Sequence, residues 1–412
     1  MRISKVQAFL LSYPLPQPLK MQYFGGERTI LKRDAMLIRI ETESGFTGYG
    51  PGAASEHWKS RIETEIASFL IGRIAMDPDA LRVRFVEQYG SDAELIKIYS
   101  CLEVALYDLV GKSRNLPVSE LLGGRVRDRI QLYGSAGMYM DPEGYAAEAK
   151  LCQEMGFSAY KMRPAMGPDA DLEAVRKMRE ATGTGFGLMI DAHTWWRMGD
   201  RSYTQDTVEQ LAGEMSEHEL VWLEEPLDPH NHDAYRKLKE RDLVPLASGE
   251  HEPDEAGFLD LLIGPCVDYV QMDVVCQGGF GLGRRLFGAL EAAGLRFAFH
   301  SWGTALEVIA AAQIGICWPE SVVEWLEYPC YTTAERKFMY PWPLAEDILK
   351  NPLEIVNGDL VVPAKPGLGV DVDESVIEKY PWLPGPWSYF TLISPNQTFA
   401  VTSDHSVKMV PQ

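Results

Sequence analysis

Cysteine is scarce in this 412-residue sequence. There are six, at positions 101, 152, 266, 276, 317 and 330, and no two form a C-x-x-C pair. That excludes a disulfide framework as the organiser of the fold, and the residues read as reduced core thiols of a cytoplasmic protein. A run of about 18 apolar residues is also missing, so no membrane span is expected. The start, Met1-Arg-Ile-Ser-Lys, lacks a long apolar stretch followed by a small-residue cleavage site, so no signal peptide is expected. Positive charge is in deficit: 39 Lys and Arg against 59 Asp and Glu, a formal net charge of −20. Nucleic acid and anionic membrane surfaces are therefore poor partners. A small anionic substrate would need local cations at its site. A dinucleotide fingerprint is absent too. Gly278-Gly-Phe-Gly-Leu-Gly283 has the wrong spacing for G-x-G-x-x-G and is not expected to open a helix directly after a strand. It reads as a turn with helix packing.

What is present is an ordinary globular composition, 46% apolar and 24% charged. It suffices for one large domain and a smaller one. In Met36-Leu-Ile-Arg-Ile-Glu-Thr, apolar and polar residues alternate as in a half-buried strand. Ser44-Gly45 then turns the chain into Phe46-Thr-Gly-Tyr-Gly. From about 57 to 122 the pattern is helical, with Leu102, Ala105, Leu106 and Leu109 on one face and Gly111 and Pro117 as punctuation. Residues 1–125 thus read as an N-terminal α+β domain. From Ile130 short apolar strands alternate with amphipathic helices, the first opened by Asp141-Pro142. The strands are Ile130–Tyr133, Ala159–Met162, Phe186–Ile190, Leu220–Leu223, Val244–Ala247, Tyr269–Met272, Arg296–Phe299 and Val322–Leu326. Regular βα alternation predicts an α/β fold, a TIM-type (β/α) barrel over residues 126–345. The remaining segment, 346–412, contains an Asn-Gly hairpin signal and an aromatic, proline-rich stretch, and is expected to pack back on the N-terminal domain.

The ends of these strands carry the chemistry. From the second strand onward they supply Lys161 and Arg163, then Asp191 and His193, Glu224, Glu250, Asp273, His300 and Glu327. Successive ends lie 23 to 33 residues apart, about one βα unit each. One acid after an apolar strand is ordinarily a solvated loop charge. Seven strands ending this way would converge on one barrel mouth. Asp191, Glu224 and Glu250 offer three hard oxygen ligands without a cysteine, which favours Mg²⁺ over zinc. Three close carboxylates would repel unless a cation sat among them. Strand alternation allows only one of Glu224 and Glu225 to face that cation. Asp273 beside His300 is the usual setting of a general base. Lys161 and Arg163 share a face and could neutralise an anionic substrate or enolate.

With these residues in view the chain resembles the enolase superfamily, and within it the mandelate racemase group. The resemblance runs over nearly the whole length. It is carried by Ala105-Leu-Tyr-Asp-Leu-Val-Gly-Lys112, Leu121-Leu-Gly-Gly-Arg-Val-Arg-Asp128, Trp222-Leu-Glu-Glu-Pro226, Ser248-Gly-Glu250, Asp273, Trp325-Leu-Glu327 and Pro366-Gly-Leu-Gly369. It implies a capping domain over a modified barrel with substrate between them. It also implies Mg²⁺ on Asp191, Glu224 and Glu250, and an Asp273–His300 dyad. Glu327 would bond a substrate carboxylate oxygen as the enolate forms. Use of a Lys or His base with Mg²⁺ is a general property of that superfamily.

Two departures shape the expected reaction. Racemases of the group carry Lys-x-Lys on the second strand, whereas this chain has Arg163, whose pKa above about 12 makes it a poor base. His193 stands where many relatives have Asn; in some sugar-acid dehydratases a histidine there protonates the departing β-hydroxyl. The expected activity is dehydration of a sugar acid, an aldonate or aldarate, to a 2-keto-3-deoxy acid. The rivals are an epimerase or racemase, a lactone cycloisomerase, and a non-catalytic binding protein on an inherited barrel. Trp195, Trp196 and Arg197 could contact a polyol chain or simply pack. Specificity is expected from Tyr23-Phe-Gly-Gly26 and Ser55-Glu56-His57. The partner is a small carboxylate, and a homo-oligomer is the expected assembly.

Overall fold

The structure, a computed structural model, describes residues 1–412 except Pro265, Ala334, Glu335, Tyr340, His405 and Gln412. Alternating apolar residues in the first fifty positions build a long antiparallel pair. Strand β1 (Ile3–Tyr23) runs against β2 (Gly26–Thr42) from Ile3↔Thr42 to Tyr23↔Gly26, and β3 (Thr47–Gly52) adds to β2. The helix Ala93–Arg114 lies on β3 because Gly48 and Gly50 leave room for it. A Cβ on Gly48 would stand 2.2 Å from the Ala105 carbonyl oxygen. That helix is capped by the Asp92 side chain, passes through Gly111, and ends at a left-handed Asn115. Gly111 therefore does not interrupt the helix. It opens space for the Pro366–Gly369 turn, since a Cβ there would lie 2.8 Å from Gly367 Cα. Asp108, one turn earlier, accepts from the backbone N–H groups of Tyr49 (2.9 Å) and Leu368 (2.8 Å). One buried carboxylate thus ties two of the quoted motif segments, 105–112 and 366–369, to β3.

The next eight strands close a parallel barrel: β4 (Arg129–Met138), β5 (Ala159–Arg163), β6 (Gly187–Asp191), β7 (Leu220–Glu224), β8 (Leu246–Ser248), β9 (Tyr269–Met272), β10 (Arg296–Phe299) and β11 (Val323–Pro329). Each pairs in parallel with the next, and β11 returns to β4. The expected helix start at Asp141-Pro142 is present, with the Asp141 side chain accepting from Gly144 N at 2.7 Å. The glycine-rich run, read as a turn with helix packing, lies beyond the end of β9 at Met272 and opens the helix Gly279–Ala293. Its first turn is filled by the buried Glu103 carboxylate, which accepts from Gly281 N at 2.8 Å. An acid already satisfies the helix N-terminus. All six cysteines are free. Among the described residues no helix is long and apolar enough to cross a membrane.

The tail divides. The Asn357-Gly358 hairpin, β12 (Ile355–Val356) and β13 (Asp359–Val361), pairs with β4 of the barrel and not with the first sheet. The reason is register: β4 begins pairing with β5 only at Gly134, so its first residues leave an edge that β13 takes at Arg129–Gln131. Strands β14 (Ser388–Leu392), β15 (Gln397–Val401) and β16 (Val407–Met409) instead extend the antiparallel sheet from β2.

Inside the barrel, Tyr133, Ala159, Met189, Trp222, Ala247, Tyr269, Ala298 and Trp325 form one apolar cluster, one residue from each strand. Large and small side chains interdigitate as close packing demands. Because strand side chains alternate, the residue two places further on points the same way, one layer higher. That layer contains Ser135, Lys161, Asp191, Glu224, His300 and Glu327. Trp222 is fully buried in the lower layer. Its replacement by alanine should destabilise the fold by ~3–5 kcal/mol, measured by equilibrium urea unfolding. A loss below ~1 kcal/mol would show that this layer does not hold the barrel.

Candidate active site

The upper layer is a largely buried ion network. Lys161, with no exposed surface, places Nζ 2.8 and 3.0 Å from the two oxygens of Glu224, 3.1 Å from Glu327 Oε1 and 3.7 Å from Asp191 Oδ2. Arg163 sets Nε 3.1 Å from Asp191 Oδ2 and Nη2 3.1 Å from Glu327 Oε1, donates Nη1 to Ser135 Oγ at 2.9 Å, and stacks 3.7 Å over the Trp302 ring. Glu327 also accepts from Ser135 Oγ (2.6 Å) and Ser301 N (3.0 Å). Trp222 Nε1 donates to Glu224 Oε2 at 2.9 Å. This places Glu224 on the interior face. Glu225, the next residue, has a positive φ of 43° and turns its carboxylate to His251 Nδ1 at 2.6 Å.

Four carboxylates, Asp191, Glu224, Glu250 and Glu327, therefore face two fixed cations, Lys161 and Arg163. Burial pushes Glu224 well above the usual carboxylate range; Lys161 opposes this, and Asp191, Glu250 and Glu327 reinforce it. Burial also disfavours ionised Asp191, but His193, Lys161 and Arg163 outweigh it and hold that carboxyl low. Asp191 Oδ2 and Glu250 Oε2 are buried and accept no hydrogen bond. One ligand atom from each of Asp191, His193 and Glu250 lies within 4.8 Å of the others. Buried oxygens with spare lone pairs and an excess of two negative charges fit a divalent cation. Glu224 belongs to the same charge cluster, although both of its oxygens face Lys161.

The histidines stand around this cluster. Asp273 is anchored by the N–H groups of Val275 (2.7 Å) and Cys276 (3.0 Å) through Oδ1, and its Oδ2 lies 3.2 Å from His300 Nδ1. His300 Nε2 then faces inward, 3.4 Å from Glu250 Oε2 and 3.9 Å from Glu327 Oε2. Burial works against the imidazolium, but Glu250, the hydrogen-bonded Asp273 and Glu327 push His300 up to about 10. His193, on the end of β6, has Nδ1 2.6 Å from Asp191 Oδ1. In an eight-strand ring β6 and β10 stand four strands apart, so His193 and His300 approach from opposite sides.

A cavity of about 430 Å³ opens over this layer, lined by His193, Glu250, His251, His300, Arg163 and Trp302, among others. His251, Ser135 and Ser301 are site residues that the sequence reading passed over. His251 directly follows Glu250, and Ser135 lies inside β4, the one barrel strand whose terminus was not considered. Of the Trp195-Trp196-Arg197 run, Trp195 is packed away and donates Nε1 to Asp171 at 2.9 Å. Arg197 reaches the cavity and donates to His251 Nε2 at 2.7 Å. His57 instead pairs with Glu94 on the surface at 3.0 Å, and Ser55 caps a helix.

Fold and site together define an α/β-barrel enzyme of the kind that binds a small carboxylate against a divalent metal. Residues 144–376 match the family described as "Enolase C-terminal domain-like", and residues 6–123 match "Mandelate racemase / muconate lactonizing enzyme, N-terminal domain". The chain belongs to the enolase superfamily, in the mandelate racemase/muconate lactonizing enzyme group. It is similar to the D-galactarolactone cycloisomerase of Agrobacterium fabrum (26% identity; 92% of this chain, 99% of the relative). It is also similar to the D-xylonate dehydratase of Haloferax volcanii (27%; 84% and 85%). Among solved structures, an enolase-superfamily member from Polaromonas sp. JS666 superposes with a TM-score of 0.80 at 30% identity, over 94% of this chain and 99% of that one.

His300 provides a check on the charge balance. Its pKa is raised above the ordinary 6.5 to about 10, so at pH 8 the metal-free protein holds the imidazolium. A divalent cation beside Glu250 removes the attraction that keeps this proton. Mg²⁺ titration at pH 8 should therefore release up to about one proton, read by calorimetry in buffers of different ionisation enthalpy. The release should disappear in His300→Asn. Equal release in both proteins would place the proton elsewhere.

Proposed function

We propose that the protein is a Mg²⁺-dependent dehydratase of a sugar acid, converting an aldonate or aldarate to a 2-keto-3-deoxy acid. The observation that carries this reading is the pairing of one working base, His300, with an acid candidate, His193, across the cavity from a non-basic Arg163. Asp191, Glu224 and Glu250 would hold the metal. When bound, a divalent cation supplies positive charge against the ene-diolate that α-proton removal generates.

The chain's own groups account for the proton traffic. Asp273 takes the Nδ1 side of His300 and leaves Nε2 free to accept the α-proton. As the C–H electrons move into the carboxylate, Lys161 and Arg163, both held in place by Glu327, offset the new charge. The enolate then re-forms its carbonyl side and expels the β-hydroxyl, which leaves as water with a proton from His193. The enol product tautomerises to the 2-keto acid. Arg163 is even less willing than a free arginine to lose its proton: burial opposes its charge, but Asp191, Glu327 and Glu224 more than compensate. One face of the α-carbon then has no base, which speaks against racemisation.

The dehydratase relative supports elimination; the cycloisomerase relative supports ring opening of a lactone by the same first step. An open-chain acid contains no ring to break. Its turnover to a 2-keto acid with Mg²⁺ present separates the two, and failure across a library of open-chain sugar acids would refute the dehydratase.

Metal and proton roles can be tested separately. Glu224→Gln should weaken Mg²⁺ binding at least about tenfold by calorimetry, because a charged ligand is lost, while Glu225→Gln retains it. Equal damage would transfer the ligand role or share it. In D₂O, His300→Asn should lower α-exchange and dehydration together by ~10²–10⁴-fold. His193→Asn should spare exchange and slow elimination. Interconversion of C2 epimers by the unmodified enzyme at the dehydration rate would require a second base and would overturn the one-face mechanism.

A further inference from the structure

The part of the cavity away from the charge cluster is built by residues 387–407, which lie beyond the matched family segments ending at 376. Strand β14 docks on β2 with Phe390 opposite Arg28 and Leu392 opposite Gly26. Strand β15 sets Phe399 opposite Phe390 and Val401 opposite Ser388, and β16 sets Val407 opposite Val401. Directly opposed residues in antiparallel strands share a face. Arg28, Phe390, Leu392, Phe399, Val401 and Val407 therefore form one surface, and all six line the cavity.

Within this apolar wall Arg28 is the charged group. It is 6% exposed, and its guanidinium lies 4.4 Å from the Phe390 ring centroid and 4.8 Å from that of Trp387. Its Nη1 donates to the Met138 sulfur at 3.4 Å, a weak acceptor, the neutral Tyr139 hydroxyl is its other side-chain partner, and its Nε has no hydrogen-bond partner. Among the described residues no carboxylate lies within ion-pair distance of it. Cation–π contact returns roughly 0.5–2 kcal/mol, well short of the cost of stripping water from a full charge. Burial accordingly draws this arginine below its ordinary range. The close approach that holds the wall is at Gly26, where any Cβ would meet the Thr391 carbonyl oxygen at 1.9 Å.

A buried guanidinium without a counter-ion, facing a ligand cavity, is completed by a planar anion, which it can take with two parallel hydrogen bonds. A hydroxyl cannot neutralise it. We propose that Arg28 receives a second carboxylate at the far end of the substrate, so that the substrate is a dicarboxylic sugar acid, an aldarate, and not an aldonate. This rests on the reading above that the metal end takes the first carboxylate. The C-terminal strands then act as the specificity wall: Phe390 and Trp387 fix the guanidinium plane, and the apolar surface excludes the water that would otherwise compete with the carboxylate.

The test uses Mg²⁺-loaded enzyme and six-carbon aldarates and aldonates paired by configuration, with binding read by calorimetry and turnover by 2-keto acid formation. At least one aldarate should bind about 10- to 100-fold more tightly than its paired aldonate, the range expected for a charge-assisted bond. Arg28→Met should abolish that preference, and Arg28→Lys should restore part of it. If no aldarate binds more tightly than its partner, or if the preference survives in folded Arg28→Met, the inference fails. The unmodified enzyme decides the first point even if Arg28→Met does not fold. Arg28-dependent binding without any 2-keto acid would leave this subsite standing and refute the dehydratase instead.

Discussion

An excess of carboxylate in a largely buried site is the constraint on which the rest of this structure depends. Asp191, Glu224, Glu250 and Glu327 are all buried, and isolated buried charges of one sign cost several kcal/mol each. Lys161 and Arg163 offset half of the negative charge and serve several acids at once, which is why neither side chain has freedom to move. The remainder is what a divalent cation neutralises. A site of this kind is unstable as a bare cluster and stable as a metal-binding one. Its electrostatics are set by the fold before any substrate arrives.

The barrel supplies this arrangement economically. Five functional side chains stand two residues above a member of the apolar layer: Lys161 above Ala159, Asp191 above Met189, Glu224 above Trp222, His300 above Ala298, Glu327 above Trp325. Small residues sit beneath Lys161 and His300, and large ones beneath Glu224 and Glu327. The layer below thus packs densely while fixing the height of the layer above. Trp222 joins the two, contributing bulk to one and a hydrogen bond to the other.

Much of this was legible because strand period and βα spacing are local properties. The bounds Tyr269–Met272 and Arg296–Phe299 agree with the sequence reading residue for residue. β4 was read as ending at Tyr133 but continues to Met138, through Gly134, Ser135 and Gly137, residues of low strand propensity. Pairing with β5 and β11 holds Gly134 and Ser135 extended, while Gly137, at φ 61°, lies in the bulge before Met138, and both are tertiary effects. For the same reason Ser135 escaped notice as a site residue. Arg28 and the C-terminal strands escaped for a stronger reason. Nothing near Arg28 in sequence marks it as facing a cavity; its surroundings are made by a cross-strand register spanning some 360 residues of chain.

Arg163 shows how one substitution type can satisfy structure and direct chemistry together. Its Nε addresses Asp191, Nη1 addresses Ser135 Oγ, and Nη2 addresses Glu327, while its plane lies on Trp302. A lysine has one nitrogen and no plane, so it could not hold these three partners in place or stack on the ring. The network therefore demands an arginine as a matter of geometry. An arginine so surrounded by carboxylates keeps its proton at any ordinary pH. In the proposed reaction handedness would then follow from packing: His300 would serve one face of the α-carbon, and the other face would meet a cation already committed to the network. Trp302, on which Arg163 rests, also lines the cavity beside Trp387 of the C-terminal wall. Arg163 at one end and the wall that surrounds Arg28 at the other thus line one continuous cavity, as a substrate held at both ends would require.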